Sequence, residues 1–399
     1  MLAGMLISVE EASVRLARAI SCGPMERVPL GRAAGRILRE ALRAPRPLPP
    51  FDRAMMDGIA VGAEAFAAGR RRFRVAGRIH AGEAAPPLPS PDAACWIMTG
   101  APCPAGAGLV VPREAVREQG DEVVVEETFA PPAGHFIHRA GADAAEGAEL
   151  LAAGVRLDGP ALGVAASAGV SQILVTRRPR VVVVSTGDEL VEPGQPLEPQ
   201  QIARSNPYAI GALLRDHLEV KLSEAHLPDA RSVMRERLEA LLAAYDAVVC
   251  SGGVSKGDRD FLPEVLAELG VEALFHGVAQ KPGKPLWVGR GPAGQLVFGL
   301  PGNPVSALVG ARRYVVPALH QWLGAAEAEP RRVTLDEAFR GSPGLTRFLP
   351  VAEANGRATL VAVGTSGDFV HLVGSTGFVE LPAREEEFEA GFAAAYFGW

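Results

Sequence analysis

At 399 residues the chain exceeds what one hydrophobic core usually organises, roughly 250 to 300 residues, so about three or four domains are expected. With 48% hydrophobic and 22% charged residues it falls in the globular class, which excludes a disordered or fibrous chain. The net charge of -6 argues against broad binding to nucleic acid or to an anionic membrane, so an anionic ligand has to be held by local groups.

Residues 8 to 21 predict the first helix. Ser8 stands at the N-cap, Glu11 follows three positions later as a capping box, and Leu16 and Ile20 continue the apolar spacing. The acids and arginines of the first twenty residues break any signal-peptide core, and no 18-residue apolar run follows, which predicts a cytoplasmic protein. Cys22, Cys95, Cys103 and Cys250 form no C-x-x-C pair, so neither a zinc site nor a disulfide framework is expected. Residues 45 to 140 are rich in Pro and Gly, with short β runs such as RFRVAGRI, CWIM, GLVVP and EVVVEET, the texture of an inserted β domain. A helix over about 160–168 follows.

From Arg180 strands and helices alternate: RVVVVSTG, a helix over 206–217, a helix over 231–244, DAVVCSGG, a helix over 261–269, then QLVFGLPG and VSALVGARRYVV. Continuous apolar strands between helices predict a mostly parallel sheet covered on both faces. Short β runs return after about residue 330, including RATLVAV and GFVELP. The expected architecture is therefore multidomain α/β and β. A helical linker domain (1–44 with 141–176) carries the inserted β domain (45–140), followed by a three-layer α/β/α domain (177–324) and a C-terminal β-barrel-like domain (325–399).

In such a sheet ligands sit beyond the carboxyl ends of the strands, and three loops there carry unusual chemistry. Thr186-Gly187-Asp188-Glu189 sets a glycine beside two carboxylates. Ser251-Gly252-Gly253-Val254-Ser255 opens a glycine-rich turn whose N–H groups can cradle phosphate, with Asp260 at the next helix. Pro301, Gly302 and Asn303 fix a loop feeding the helix that contains Ser306. Singly each reads more readily as an ordinary turn. Together, phosphate cradles with Asp188, Glu189 and Asp260 point to a nucleotide bound with a hard divalent cation such as Mg²⁺. Only four of the 40 basic residues are lysine, and two of them, Lys281 and Lys284, lie in KPGKP; a compact ammonium there suits phosphate or another oxyanion. Neither G-x-G-x-x-G at a Rossmann turn nor a Walker loop is present. In the N-terminal half, LPPFDRAMMDGIAV places Asp52 and Asp57 in a proline-led loop, and IMTGAPCP places Thr99 in another.

LPPFDRAMMDG, IMTGAPCPAGA, STGDEL, SGGVSKGDRDF, KPGKP and GLPGNPVSAL, in this order, resemble the molybdopterin molybdenumtransferase family (MoeA and the E domain of gephyrin). The resemblance covers essentially the whole chain. It implies a homodimer whose site lies between the α/β domain of one subunit and the N-terminal β region of the other. The implied reaction joins molybdate and adenylylated molybdopterin, with Mg²⁺, to give molybdenum cofactor and AMP. By motif, Asp57 and Thr99 come from the partner subunit, and Asp188, Glu189, Asp229 and Asp260 bind metal and orient the phosphoanhydride. Lys281 and Lys284 hold phosphate or molybdate, Ser251 and Gly252 line the nucleotide loop, and Ser366 reaches in from the tail. Transient contacts with the molybdopterin adenylyltransferase and with apo-molybdoenzymes are implied as well.

The chain departs from the family pattern at Gly108, Phe136, His138, Gly277 and Pro350, each in place of a polar or charged residue or a different polar group. These departures favour an alternative, a non-catalytic pterin-nucleotide carrier or scaffold. A second alternative, a molybdopterin adenylyltransferase, needs only the α/β domain and leaves the flanking regions without a role.

Overall fold

In a computed structural model the described residues are 6–254, 260–326, 329–384 and 386–399, and they divide into two compact units. One unit comprises Met1–Arg39, Gly154–Asp158 and Gln172–Trp399; the other comprises Glu40–Ala153 and Gly159–Ser171.

At the centre of the first unit is a six-stranded sheet in the order Lys221–Leu227, Arg180–Thr186, Ala247–Ser251, Leu296–Leu300, Trp287–Arg290, Glu272–His276. The first four strands are parallel, and the last two attach antiparallel as an edge. The valine run explains why both faces are covered. Val181 and Val183 pack with Ile210 and Leu214 of helix Asn206–His217. Val182 and Val184, pointing the other way, pack with Met234 and Leu238 of helix Arg231–Ala244 and with Leu262. Period-2 alternation within an all-apolar strand thus feeds two cores, each buried branched side chain contributing about 1.5–3 kcal/mol relative to exposure.

Helix Val9–Ala19 joins the first of these cores through Val9, Ala12 and Leu16. Ser8 caps it by accepting from the Glu11 N–H at 3.0 Å, but the Glu11 carboxylate pairs with Arg15 one turn on, so only half of the expected capping box forms. Strands Lys221–Leu227, Glu272–His276 and Trp287–Arg290 are not among the predicted elements. The first reads KLSEAHL, polar at four of its seven positions and buried only at Leu227, as an edge strand of the sheet can be.

The C-terminal strands close on themselves. Thr346–Ala354, Arg357–Leu360, Arg331–Leu335, Ala393–Gly398 and Gly377–Leu381 pair in that order and return to Thr346–Ala354, a five-stranded barrel around Val333, Val351, Val379 and Phe388. A two-residue strand, Gln280–Lys281, adds to Thr346–Ala354 in parallel and ties the KPGKP segment to the barrel wall.

In the second unit another six-stranded sheet runs Leu109–Pro112, Gly58–Val61, Ala93–Ile97, Arg72–Ile79, Glu122–Val125, Val116–Gln119. Its strands also bury both faces, Ile59, Phe73 and Trp96 on one and Ala60, Ile79 and Cys95 on the other. Gly58 is required there: a Cβ would lie 1.9 Å from the Val111 carbonyl oxygen. Among the described residues no helix is long and apolar enough to cross a membrane.

Candidate functional site

The three loops picked out in the sequence converge beyond the carboxyl ends of the parallel strands. There they line a cavity of about 620 Å³ with Thr186, Gly187, Glu189, Asp229, Ser251, Gly252, Gly253, Asp260, Pro301, Gly302 and Asn303. The convergence follows from topology, since Arg180–Thr186, Ala247–Ser251 and Leu296–Leu300 are adjacent and parallel, so their loops share one sheet edge.

The glycine turn is built by close approach. Gly252 and Gly253 have φ of +100° and +70°, and a Cβ on Gly252 would sit 2.6 Å from Thr186 Oγ1 and 2.9 Å from the Thr186 carbonyl oxygen. The Gly252 N–H donates to Leu300 O at 3.0 Å, so it braces the neighbouring loop instead of facing a phosphate. Thr186 Oγ1 is buried without a hydrogen-bond partner among the described residues. A buried hydroxyl left unpaired is costly, and one lining a cavity calls for a ligand or water. Ser251, 2% exposed, accepts from Asn206 Nδ2 at 2.6 Å.

The carboxylates divide. Glu189, Asp229 and Asp260 line the cavity, whereas Asp188 is exposed, is not among the lining residues, and accepts the Asp229 N–H at 3.0 Å, which holds the Asp229 turn in place. Gly187, with φ of +140°, lets the Glu189 carboxylate fold over the backbone, since a Cβ there would meet Glu189 Oε2 at 2.4 Å. Lys281 and Lys284 are exposed and lie outside the lining, although Pro285 of the same loop belongs to it. Ser306 is buried in the first turn of helix Pro304–Gly310, off the cavity. Ser366 is brought to the rim: its Oγ accepts from Asn303 Nδ2 at 2.7 Å and its carbonyl accepts the Val305 N–H at 2.9 Å, so the tail domain supports the third loop. Ser255 lies outside the described residues, as do Lys256, Asp258 and Arg259.

Asn206 was missed by sequence reasoning. Its Nδ2 bridges Ser251 Oγ and the Gly302 carbonyl (2.8 Å), and its Oδ1 is buried without a partner among the described residues. The signal available was a polar cluster, Arg204-Ser205-Asn206, immediately before a helix. Arg204, another lining residue, is held by Glu192. The Tyr208 hydroxyl and Arg204 both stabilise the Glu192 carboxylate and lower its pKa.

In the other unit Asp57 is exposed, and its Oδ1 accepts both the Thr99 hydroxyl (2.6 Å) and the Thr99 N–H (2.7 Å). Those two bonds, the hydroxyl's first, hold the carboxyl below the usual carboxylate range. Asp52 likewise accepts the Ala140 N–H and pairs with Arg139, which lowers its pKa.

The departures have local causes. At Gly108 a Cβ would meet Ala63 Cβ at 2.4 Å, so no larger residue fits this backbone. Gly277 has φ of +90°, which glycine adopts without strain. His138 accepts from Arg53 and pairs through Nε2 with Asp143 at 2.9 Å, and Pro350 sits in the barrel strand opposite Phe378. Phe136 holds a positive φ of 53° while its ring packs against the Ala60–Ile79–Ile97 core and lies 4.0 Å from the His135 ring.

The family description "MoeA N-terminal region (domain I and II)" matches residues 7–169, and "Probable molybdopterin binding domain" matches residues 182–321. The chain is 36% identical over 371 residues to the molybdopterin molybdenumtransferase of Synechocystis sp., covering 92% of this chain and 93% of the relative. It is 37% identical over 385 residues to the molybdopterin molybdenumtransferase of Synechococcus elongatus, with 92% and 93% covered. The fold is similar to the crystal structure of the molybdopterin biosynthesis MoeA protein from Pyrococcus horikoshii OT3, with a TM-score of 0.84, 27% identity, and 99% of this chain and 100% of that one covered.

Proposed function

This chain belongs to the molybdopterin molybdenumtransferase family, a transferase of molybdenum cofactor biosynthesis, and we propose how its site brings molybdenum to molybdopterin. The substrates are adenylylated molybdopterin and molybdate, the products molybdenum cofactor and AMP. The observation that carries this reading is the single cavity in which the Gly252–Gly253 turn, the Pro301–Asn303 loop and three carboxylates meet.

The nucleotide half lies against the glycine turn, where Thr186 Oγ1 and Asn206 Oδ1, without partners among the described residues, gain them. Among the described residues no three acidic, histidine or cysteine side chains gather closely enough to hold a metal alone, so a hard cation would take one or two of Glu189, Asp229 and Asp260, with Asp188 bracing Asp229, and its remaining ligands from phosphate and water. These residues would hold Mg²⁺, which supplies charge neutralisation on the bridging phosphates. Lys281 and Lys284, exposed on the loop that ends at Pro285, hold molybdate or phosphate. The sulfur ligands for molybdenum belong to the substrate, which accords with four dispersed cysteines, two of them buried. In a homodimer the partner subunit's Asp57, oriented by the partner subunit's Thr99, completes the site. The protein works in the cytoplasm, with transient contacts to the molybdopterin adenylyltransferase and to apo-molybdoenzymes.

Relatives named as molybdenumtransferases over nine-tenths of the chain do not favour a carrier or an adenylyltransferase. The test is AMP release from adenylylated molybdopterin with and without molybdate, beside Asp260→Ala. Molybdate-dependent release lost in the variant supports the proposal; tight binding without release in the wild type overturns it in favour of the carrier.

A further inference from the structure

The KPGKP loop is held from beneath by a buried side chain outside every motif. Gln280 is 1% exposed, and its Nε2 donates to the carbonyls of Pro282 (3.3 Å) and Gly283 (3.1 Å). Its Oε1 accepts from the hydroxyl of Tyr314 at 2.5 Å, and Tyr314 is also 1% exposed. Both N–H donors and one acceptor site of the amide are used, and because a phenol donates on one side and two carbonyls accept on the other, only one orientation satisfies all three. The loop needs this help because Pro282 and Pro285 have no N–H to donate. Its backbone is closed at its base by the Val278 N–H to Lys284 O bond at 3.0 Å. Gly283 fits the clamp, with φ of +89°, and a Cβ there would lie 2.8 Å from Gln280 Nε2. Tyr314 stands on the π-helical turn Ala311–Val315, in the helical run that begins at Asn303 beside the cavity. Burial leaves the phenol protonated, its pKa raised above the ordinary range, so it remains a donor at any working pH.

We propose that Gln280, oriented by the Tyr314 hydroxyl, is a positioning residue that sets the placement of Lys281 and Lys284 on the anion. It touches no substrate itself. The inference rests on the reading above that these lysines hold molybdate or phosphate.

The experiment measures kcat and KM for molybdate in the AMP-release assay for the full-length wild type, Lys281→Ala, Lys284→Ala, Gln280→Met and Tyr314→Phe, with Tm recorded for each. Gln280→Met keeps volume but leaves two carbonyls and the phenol unpaired; Tyr314→Phe removes one oxygen and is the milder change if Gln280→Met folds poorly. The expected result is a KM for molybdate raised about tenfold in Gln280→Met and a few-fold in Tyr314→Phe, with kcat within about twofold of wild type. The double variant is expected to be no worse than Gln280→Met alone, since both substitutions remove one unit. A purely packing role would lower Tm and leave KM unchanged, and that result in either folded variant overturns the inference while the lysine variants raise KM. Lysine variants with unchanged KM overturn the anion-site reading and this inference with it.

Discussion

The two units hold their candidate carboxylates in opposite ways. In the α/β unit Glu189, Asp229 and Asp260 line a cavity together with Thr186 and Asn206, whose Oγ1 and Oδ1 are buried without a hydrogen-bond partner among the described residues. In the β unit Asp57 is exposed and locally satisfied by two bonds from Thr99. The first arrangement leaves buried polar atoms without a partner among the described residues, and the second is an exposed carboxylate held by local hydrogen bonds. Such a group is suited to act on a substrate that another surface holds, which is the reason for proposing a site shared between subunits.

The largest effect that would sharpen the contrast is expected at Gly252. Gly252→Ala drives a methyl into the Thr186 carbonyl at a φ of +100°, so the glycine turn has to move. AMP release should fall by roughly 100-fold or more, with the melting temperature of the β unit unchanged. Unaltered kinetics would mean that the turn is not part of the binding surface.

A middling effect is expected at Thr99. Thr99→Val removes the hydroxyl bond, the larger cause of the lowered Asp57 pKa, and keeps the N–H bond. The Asp57 pKa should rise toward its ordinary value, so the acid limb of the pH–rate profile should move to higher pH; at neutral pH the carboxylate stays ionised, and the roughly tenfold loss in kcat/KM expected there comes from its lost orientation. A profile that does not move would show that Asp57 ionisation is irrelevant to the reaction.

The smallest effect concerns stability in acid. In the α/β unit burial pushes His320 down from 6.5 to about 4, with the neighbouring His217, Arg312 and Arg156 adding to the shift. Between those values the unfolded chain binds more protons than the folded one. The stability His320 contributes is therefore complete above about 6.5 and is lost as pH falls toward 4. Asp57 and Asp52, with lowered carboxylate pKa values, keep their contribution to the β unit until the pH falls below the ordinary carboxylate value. Melting followed from pH 7 to 4.5 should destabilise the α/β unit first, and His320→Gln should flatten its pH dependence. Parallel loss in both units would contradict the assignment.

Much of the α/β site was legible because strand ends and loops are written locally: RVVVVSTG, DAVVCSGG and QLVFGLPG each name a strand, and parallel topology brings their loops together. Asn206 was not legible, since its value lies in bridging Ser251 and Gly302, residues 45 and 96 positions away. The same limit hid Gln280 and Tyr314, which read as ordinary core positions until the pairing of Gln280–Lys281 with the barrel wall is known. Asp188 and Glu189 are neighbours in sequence, yet the tight turn at Gly187 leaves Glu189 on the cavity and Asp188 bracing the loop.

The most direct measurement is complementation between inactive variants. Asp57→Ala and Asp260→Ala are purified separately and also co-expressed with different tags and isolated as a mixed species, and each is assayed for molybdate-dependent AMP release. If the partner subunit's Asp57 serves the cavity, the mixed dimer carries one intact site, and about half of the wild-type activity per dimer should return although both parents are inactive. A mixed dimer as inactive as its parents would contradict a site assembled from two subunits.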